Sequence, residues 1–360
     1  MALDRILIST FRNHRETALH DTARFNLLVG ENGAGKTNVL EALSLFAPGR
    51  GLRRAALADM PAQDGPGGFA VSADLMTGSD QVRLGTGATA ERPGRRVVHI
   101  NRADAPALRL AEWLSIGWLT PAMDRLFMEG AGARRRFLDR LVLALEPGHA
   151  RNAARLEGAL RERNRLLSEP IEPDPAWLEA IEAQIAEAGA MVARSRVNLV
   201  TRLQDALLHL PEAPFARPAL TYLPGGPLDE GTLAMALAEG RRRDRAAQRT
   251  LTGPHRDELA VTMAGKEQPA GECSTGEQKA MLISITLAHT GLLDSARPGL
   301  LLLDEVAAHL DPLRREALFD RLRAGSAQVW LTGTELAPFS AIVQEAAVWR
   351  VTDGAVERMD

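Results

Sequence analysis

Gly30-Glu31-Asn32-Gly33-Ala34-Gly35-Lys36-Thr37 follows an apolar run from Phe25 to Val29 and leads into a helical stretch, Asn38-Val39-Leu40-Glu41-Ala42-Leu43. The octapeptide has the form G-x-x-x-x-G-K-[ST], and strand, loop and helix are the context that form needs. Gly33 and Gly35 let successive backbone N–H groups converge on phosphates, at a helix N-terminus whose dipole favours negative charge. Lys36 is then expected to reach the β- and γ-phosphates as a point charge, and the Thr37 hydroxyl to hold Mg²⁺. The stretch reads as a site for a nucleoside triphosphate formed by Gly30, Glu31, Asn32, Gly33, Ala34, Gly35, Lys36, Thr37 and Asn38.

The other half of such a site is a buried strand ending in acid, which Gly299-Leu300-Leu301-Leu302-Leu303-Asp304-Glu305 supplies. Four leucines are too few for a membrane span and read as a central parallel strand buried on both faces. Ligands in open α/β sheets bind at the carboxyl ends of strands, where Asp304 and Glu305 fall. Asp304 is expected to share the Mg²⁺ with Thr37, and Glu305 to position or deprotonate the attacking water. Lys36, Asp304 and Glu305 form the expected catalytic set.

A third block, Cys273-Ser274-Thr275-Gly276-Glu277-Gln278-Lys279, stands before a strongly apolar helix at 280–293. Ser274 with Glu277 three residues later spells a capping box. The same letters resemble the signature motif of ABC-type ATPases, in which a Ser and a Gly at a helix N-terminus grip the γ-phosphate bound to a facing subunit. That reading assigns Ser274 and Gly276 to a nucleotide held by a second copy of the chain. Signature, acidic strand and then Ala307-Ala308-His309-Leu310-Asp311, which resembles a D-loop, arrive in the order of an ABC head.

Further blocks extend the pattern: Ile6-Leu7-Ile8-Ser9-Thr10-Phe11-Arg12-Asn13-His14, the Gly-Arg-Gly-Leu-Arg segment ending at Arg53, Arg134-Arg135-Arg136-Phe137-Leu138-Asp139, and Thr252-Gly253-Pro254-His255-Arg256-Asp257. Taken with the phosphate loop and the signature, they resemble the RecF recombination and repair proteins, relatives of the SMC-type chromosome ATPases, over nearly the whole chain. The resemblance implies an ATP-driven homodimer on double-stranded DNA near single-strand gaps, RecR and RecO as partners in loading a recombinase, and slow ATP hydrolysis resetting the dimer. It also implies a contact from Arg12 to the nucleotide phosphates. The chain departs from the pattern at Glu277, where many members carry a neutral residue. After the strand expected at 328–331, Thr332-Gly333-Thr334-Glu335 offers no switch histidine, leaving Thr334 as the candidate γ-phosphate sensor. His309 reads as a helix-flanking surface residue. An ABC transporter subunit and an ATP-switched scaffold that hardly hydrolyses share the three motifs. The missing histidine and a long inserted helical segment argue against the transporter.

The 360 residues, 45% apolar and 25% charged, describe an ordinary globular protein with a sizeable core. The single cysteine, Cys273, excludes an intramolecular disulfide framework and suits a reducing cytoplasm. No signal-peptide pattern opens the sequence and no apolar run reaches membrane length. The net charge of −3 is unusual for a DNA binder, yet the cations are clustered and almost all arginine, the lysines being Lys36, Lys266 and Lys279. Arg50, Arg53, Arg54, Arg134 and Arg135 are the candidate phosphate contacts on DNA, with further clusters at Arg92, Arg95 and Arg96 and at Arg241, Arg242, Arg243 and Arg245. Solvated faces balanced by nearby acids would show the same clusters.

These signals predict an α/β, ABC-type P-loop ATPase head, a parallel core sheet with an antiparallel β layer, carrying an inserted α-helical lobe. The head is expected at 1–119 and 246–360 and the lobe at 120–245. Short strands with Gly-rich turns run through about Ile116. Helices follow at 133–146, stopped by Pro147-Gly148, at 151–167, and at 177–210 behind Pro175. The last would span about 50 Å, a compact lobe rather than an extended arm. Pro211, Pro214, Pro218, Pro224 and Pro227 read as an irregular passage.

Overall fold

The computed structural model describes residues 2–78, 80–211, 213–293, 297–307 and 310–359. By packing, the chain divides into one unit of Met1–Asp124, Pro211–Phe215 and Leu282–Asp360 and another of Arg125–Leu210 and Ala216–Met281.

The first unit holds the parallel sheet that the leucine run predicts. Its strands lie in the order Ala355–Met359, Ala346–Thr352, Phe25–Val29, Gln328–Gly333, Gly299–Leu303, Ser115–Leu119, and all but Ala355–Met359 are parallel to their neighbours. Phe25–Val29 is buried at every residue, as a strand covered on both faces must be. Trp330 and Trp349 stack at 5.4 Å and 12° in the core beside it. The Ser115–Leu119 strand belongs to this sheet and not to the antiparallel layer, because each of its five residues pairs with Gly299–Leu303.

A second, antiparallel sheet of the same unit runs His14–Leu19, Leu3–Phe11, Phe69–Thr77, Asp80–Thr89, Arg92–Ile100, Ala103–Asp104. The Gln328 side chain ties the two sheets together. Its amide oxygen accepts from the Leu3 N–H and its amide nitrogen donates to the Leu3 carbonyl, each at 3.0 Å, imitating a backbone pair.

In the second unit, Ala131–Leu145, His149–Ser168 and Pro175–Leu208 are helices where periodicity predicts them. Pro175 stands in the first turn behind Asp174, whose side chain accepts the Ala176 N–H at 2.8 Å. The stripe Leu178, Ile181, Ile185, Ala188, Val192, Leu199, Leu203 and Leu207 is buried. Fully buried Arg163 crosses this unit, donating to Glu182 (3.0 Å), Asp244 (2.7 Å), Thr250 (2.9 Å) and the Leu237 carbonyl (2.9 Å).

Three features differ from the sequence reading. The proline-rich passage contains a strand, Pro218–Leu223, paired with Glu258–Met263, which in turn pairs with Gln268–Pro269. Pro218 is tolerated as the first residue of a strand at the edge of its sheet. That pairing draws residues 246–281 into the second unit, so packing does not divide the chain at 245/246. The apolar helix begins at Thr275 rather than 280, placing Gly276 and Glu277 in its first turn, because Ser274 and Glu277 do form a cap there.

Candidate nucleotide site

Residues 30–37 leave the Phe25–Val29 strand and enter the Lys36–Ser44 helix, with Gly33 at φ +84° and Gly35 at φ +117°. Both values favour glycine. At Gly35 the requirement is doubled, since a Cβ would lie 2.8 Å from atoms of Asn13 and His14. Those two residues brace the loop from behind. The Asn13 side-chain amide donates to the Ala34 carbonyl at 3.0 Å, and the Gly354 N–H donates to the same carbonyl at 2.9 Å. His14, wholly buried, has Nε2 3.0 Å from the Gly35 carbonyl and Nδ1 2.9 Å from the Thr17 hydroxyl. A carbonyl only accepts, so the ring proton sits on Nε2. Burial holds the His14 pKa below its ordinary value.

Lys36 is buried, and its Nζ donates to the carbonyls of Gly30 and Glu31, each at 2.7 Å. Burial pulls its pKa down, while Glu305 and Asp304 push it back up. The Thr37 hydroxyl meets Asp304 at 2.9 and 3.1 Å from the two carboxylate oxygens. The loop lysine, the loop threonine and both acids of the Gly299–Leu303 strand end thus fall in one place.

Sequence reasoning passed over the residue that holds Asp304 and the backbone of Glu305. Thr332, at the end of the Gln328–Gly333 strand, donates to Asp304 at 2.8 Å and accepts the Glu305 N–H at 2.9 Å. Glu305 has φ +54°, an unusual backbone state for a non-glycine residue at a strand end. Burial raises the Asp304 pKa, against the hydrogen bonds from Thr332 and Thr37 that lower it. Thr334 is exposed and lies in an open cleft of about 710 Å³ with residues 29–34, Glu335 and Arg350.

Arg12, with φ +56°, grips fully buried Glu41 through two bonds of 2.9 and 2.7 Å and donates to the Asp59 carbonyl at 2.7 Å. Arg53 donates to the same Glu41 at 3.0 Å and to the Asn38 side chain at 2.6 Å, and Asn38 donates to Asn13 at 2.7 Å. Glu41 therefore holds two arginines beside the loop, a role its place in an ordinary helical stretch does not signal. Arg50 and Arg54 are exposed. Arg96 is spent on the carbonyls of Leu45, Ala47 and Gly49, and burial lowers it to about 10.

In the second unit, Arg134 pairs with Glu258 through two 2.7 Å bonds and Arg135 donates to the Asp257 carbonyl at 2.7 Å. Arg241 pairs with Glu182 at 2.6 Å, and Arg245 donates to the Glu169 carbonyl at 2.9 Å. The signature block forms the capping box: Ser274 Oγ donates to Glu277 at 2.9 Å, Glu277 accepts the Ser274 N–H at 2.9 Å, and the Glu277 N–H points back to Ser274 Oγ at 3.3 Å. Lys266 pairs with Glu277 at 2.5 Å, and these partners hold the Glu277 carboxyl at about 2. Ser274 and Gly276 are exposed. Ala308 and His309 of the expected D-loop lie outside the described residues.

The donors around Thr37 and Asp304 are a hydroxyl and a carboxylate, the oxygen set that suits a hard divalent cation. Among the described residues no helix is long and apolar enough to cross a membrane.

Residues 2–355 match the family described as RecF/RecN/SMC N terminal domain. The chain is 46% identical to the DNA replication and repair protein RecF of Mesorhizobium japonicum, covering 98% of this chain and 97% of that one. It is 44% identical to RecF of Caulobacter vibrioides, covering 100% and 98%. Among solved structures it is similar to that of the recombination mediator protein RecF-ATP in RecFOR pathway, with TM-score 0.87 and 22% identity over 100% of this chain and 98% of that one. An Smc head domain derived from Pyrococcus furiosus aligns with TM-score 0.55 and 15% identity over 99% and 96%. The fold is that of an ABC-type ATPase head, with parallel and antiparallel sheets and added helices, and the chain belongs to the RecF family.

Proposed function

We propose that the protein is an ATP-dependent DNA-binding protein of replication and recombinational repair, whose bound ATP closes a homodimer on duplex DNA near single-strand gaps. The observation that carries this reading is the convergence of Lys36, Thr37, Asp304, Thr332 and Glu305 at the mouth of the phosphate loop. The relatives, DNA replication and repair proteins, support the process, and the RecF-ATP structure supports the nucleotide.

On binding, the Lys36 ammonium exchanges the carbonyls of Gly30 and Glu31 for the β- and γ-phosphates, and the loop N–H groups take the remaining oxygens. Mg²⁺, held by Thr37 and Asp304, would neutralise charge on those phosphates. Glu305 accepts the proton of the attacking water as its oxygen bonds to the γ-phosphorus and the bond to ADP breaks. Thr332 fixes the Asp304 carboxylate and the Glu305 backbone, and Ser274 and Gly276 of a second copy complete the site. Slow hydrolysis then resets the dimer, making ATP a timer of residence on DNA. RecR and RecO are the partners in loading a recombinase.

Sedimentation and duplex-DNA titration of the Glu305→Gln protein, in Mg-ATP and in Mg-ADP, test this reading. A dimer that binds DNA tightly only with ATP is expected. An unchanged ATPase rate in that variant would remove Glu305 as the base, and equal DNA binding in both nucleotides would remove the switch.

A further inference from the structure

Residues 252–256, Thr-Gly-Pro-His-Arg, form a turn before the Glu258–Met263 strand that the nucleotide chemistry does not use. Gly253 has φ +128°, and its N–H donates to the Gly225 carbonyl at 3.1 Å. A Cβ on Gly225 would lie 2.6 Å from the Arg256 carbonyl carbon, and one on Gly226 would lie 2.7 Å from the Gly253 nitrogen. Two turns are therefore pressed backbone to backbone, and this fixes where the side chains of 252–256 emerge.

The acid at the end of the turn is spent. Asp257 accepts from Arg196 at 2.8 Å, from the Gly225 N–H at 2.8 Å and from the Tyr222 hydroxyl. The cations are not spent in the same way. Arg256 is exposed and makes no side-chain hydrogen bond or ion pair among the described residues. Arg243, also exposed, donates to the Thr252 hydroxyl at 3.1 Å and meets no carboxylate among the described residues. His255 places Nε2 2.9 Å from the Thr250 carbonyl, while its Nδ1 is buried without a partner. The charged groups around that ring are Arg256, Arg135 and the already occupied Asp257.

Two guanidinium groups without a carboxylate partner among the described residues, Arg256 on the turn and Arg243 on the helix Arg241–Ala247 and bonded to the Thr252 hydroxyl of the turn, suit an anion with several oxygens. Guanidinium forks match phosphate, and both arms face solvent, where a polymer reaches them without opening the fold. Arg134 and Arg135, by contrast, are engaged inside the unit. We propose that the 252–256 turn, with Arg243 and Arg256 as its arms, is a phosphate-binding site that takes a backbone phosphate of nucleic acid. This rests on the DNA-binding reading above. Such a contact positions the duplex and reads no sequence.

The test titrates full-length wild type, Arg243→Ala, Arg256→Ala and Arg256→Lys with duplex DNA across a salt series in Mg-ATP. Each alanine variant should weaken binding by about three- to tenfold and lower the slope of log K against log salt by about 1, with Arg256→Lys restoring most of the slope. The His255 ring, followed by NMR, should titrate at higher pH once DNA is bound, because a neighbouring anion favours the charged ring. Unchanged DNA affinity in the Arg243→Ala, Arg256→Ala double variant would overturn the site. Weakened ATP-driven self-association with DNA affinity intact would assign the phosphate to a nucleotide and overturn the nucleic-acid assignment. A wild type that binds no DNA in any nucleotide state would overturn the DNA-binding reading itself.

Discussion

The hydroxyl of Thr332 donates to the carboxylate of Asp304 at 2.8 Å, and the same oxygen accepts the backbone N–H of Glu305 at 2.9 Å. One side chain from a neighbouring strand thus fixes the Asp304 carboxylate and the Glu305 backbone. Thr332→Val keeps the shape and removes both bonds, so it should lower kcat for ATP hydrolysis by about tenfold and stability by about 1–3 kcal/mol. Burial already lifts the Asp304 pKa above its ordinary value, and losing Thr332 lifts it further. The acid limb of the kcat profile should therefore move to higher pH. In stability, the contribution of an acid raised on folding is present at low pH and is lost as pH rises through its folded pKa. The variant should widen that loss, and denaturant titrations across the acid range would show it. An acid limb left in place would refute the coupling.

Gly33 and Gly35 both lie at positive φ, but only Gly35 is crowded. Gly33→Ala meets nothing within 4 Å and carries backbone strain alone, on the order of 1–3 kcal/mol. Gly35→Ala adds collisions with Asn13 and His14, which must retreat from the carbonyls they touch. Urea titration should place Gly35→Ala clearly below Gly33→Ala, and nucleotide binding should be lost in the former first. Equal stability of the two would mean that the brace does not support the loop.

His14 links the loop to pH. Its pKa is held down by burial, so its contribution to stability is present above the ordinary histidine value near 6.5 and is lost as pH falls through the lowered folded value. Nucleotide affinity should decline over the same window, since Nε2 holds the Gly35 carbonyl. His14→Gln, which cannot titrate, should bind nucleotide with a flatter dependence between pH 7 and 5, measured by calorimetry at each pH. A wild type already flat there would separate His14 from the loop.

Glu41 is wholly buried and neutralises Arg12 and Arg53 at once. Glu41→Gln keeps the size and removes the charge, at a cost of about 1–3 kcal/mol. It should also release the two guanidinium groups, which at 21% and 41% side-chain exposure can turn outward. Anion binding in the absence of nucleotide, followed by competition with inorganic phosphate, should then increase. No change in phosphate competition would show that Arg12 and Arg53 remain held by other groups.

What the sequence made legible was local. Residues 25–44 carry strand, loop and helix in consecutive letters, and Pro175 announces a helix start. Thr332 and Glu41 escaped because nothing beside them in the chain marks their roles. Thr332 matters through Asp304, 28 residues away, and Glu41 through Arg12, 29 away. The Pro218–Leu223 strand escaped for the converse reason. Pro218 and the prolines flanking the strand are breakers by local rule, and only pairing with Glu258–Met263 makes the segment regular. The arginine clusters show the limit of composition. Arg96, Arg134 and Arg241 hold carbonyls and carboxylates of their own fold, whereas Arg256, outside the clusters, is left open.

Arg163 has a consequence for descent. Four segments of the chain meet on one guanidinium that no water reaches, through Glu182, Asp244, Thr250 and the Leu237 carbonyl. Replacing the arginine alone strands buried Asp244, Glu182 keeping Arg241, and replacing Asp244 alone strands part of the arginine, each at the usual cost of breaking a buried pair, about 3–5 kcal/mol. A lineage can leave this arrangement only by a double step, or by passing through a crippled ancestor. Positions 163 and 244 should therefore be inherited as a block, changing in concert or not at all.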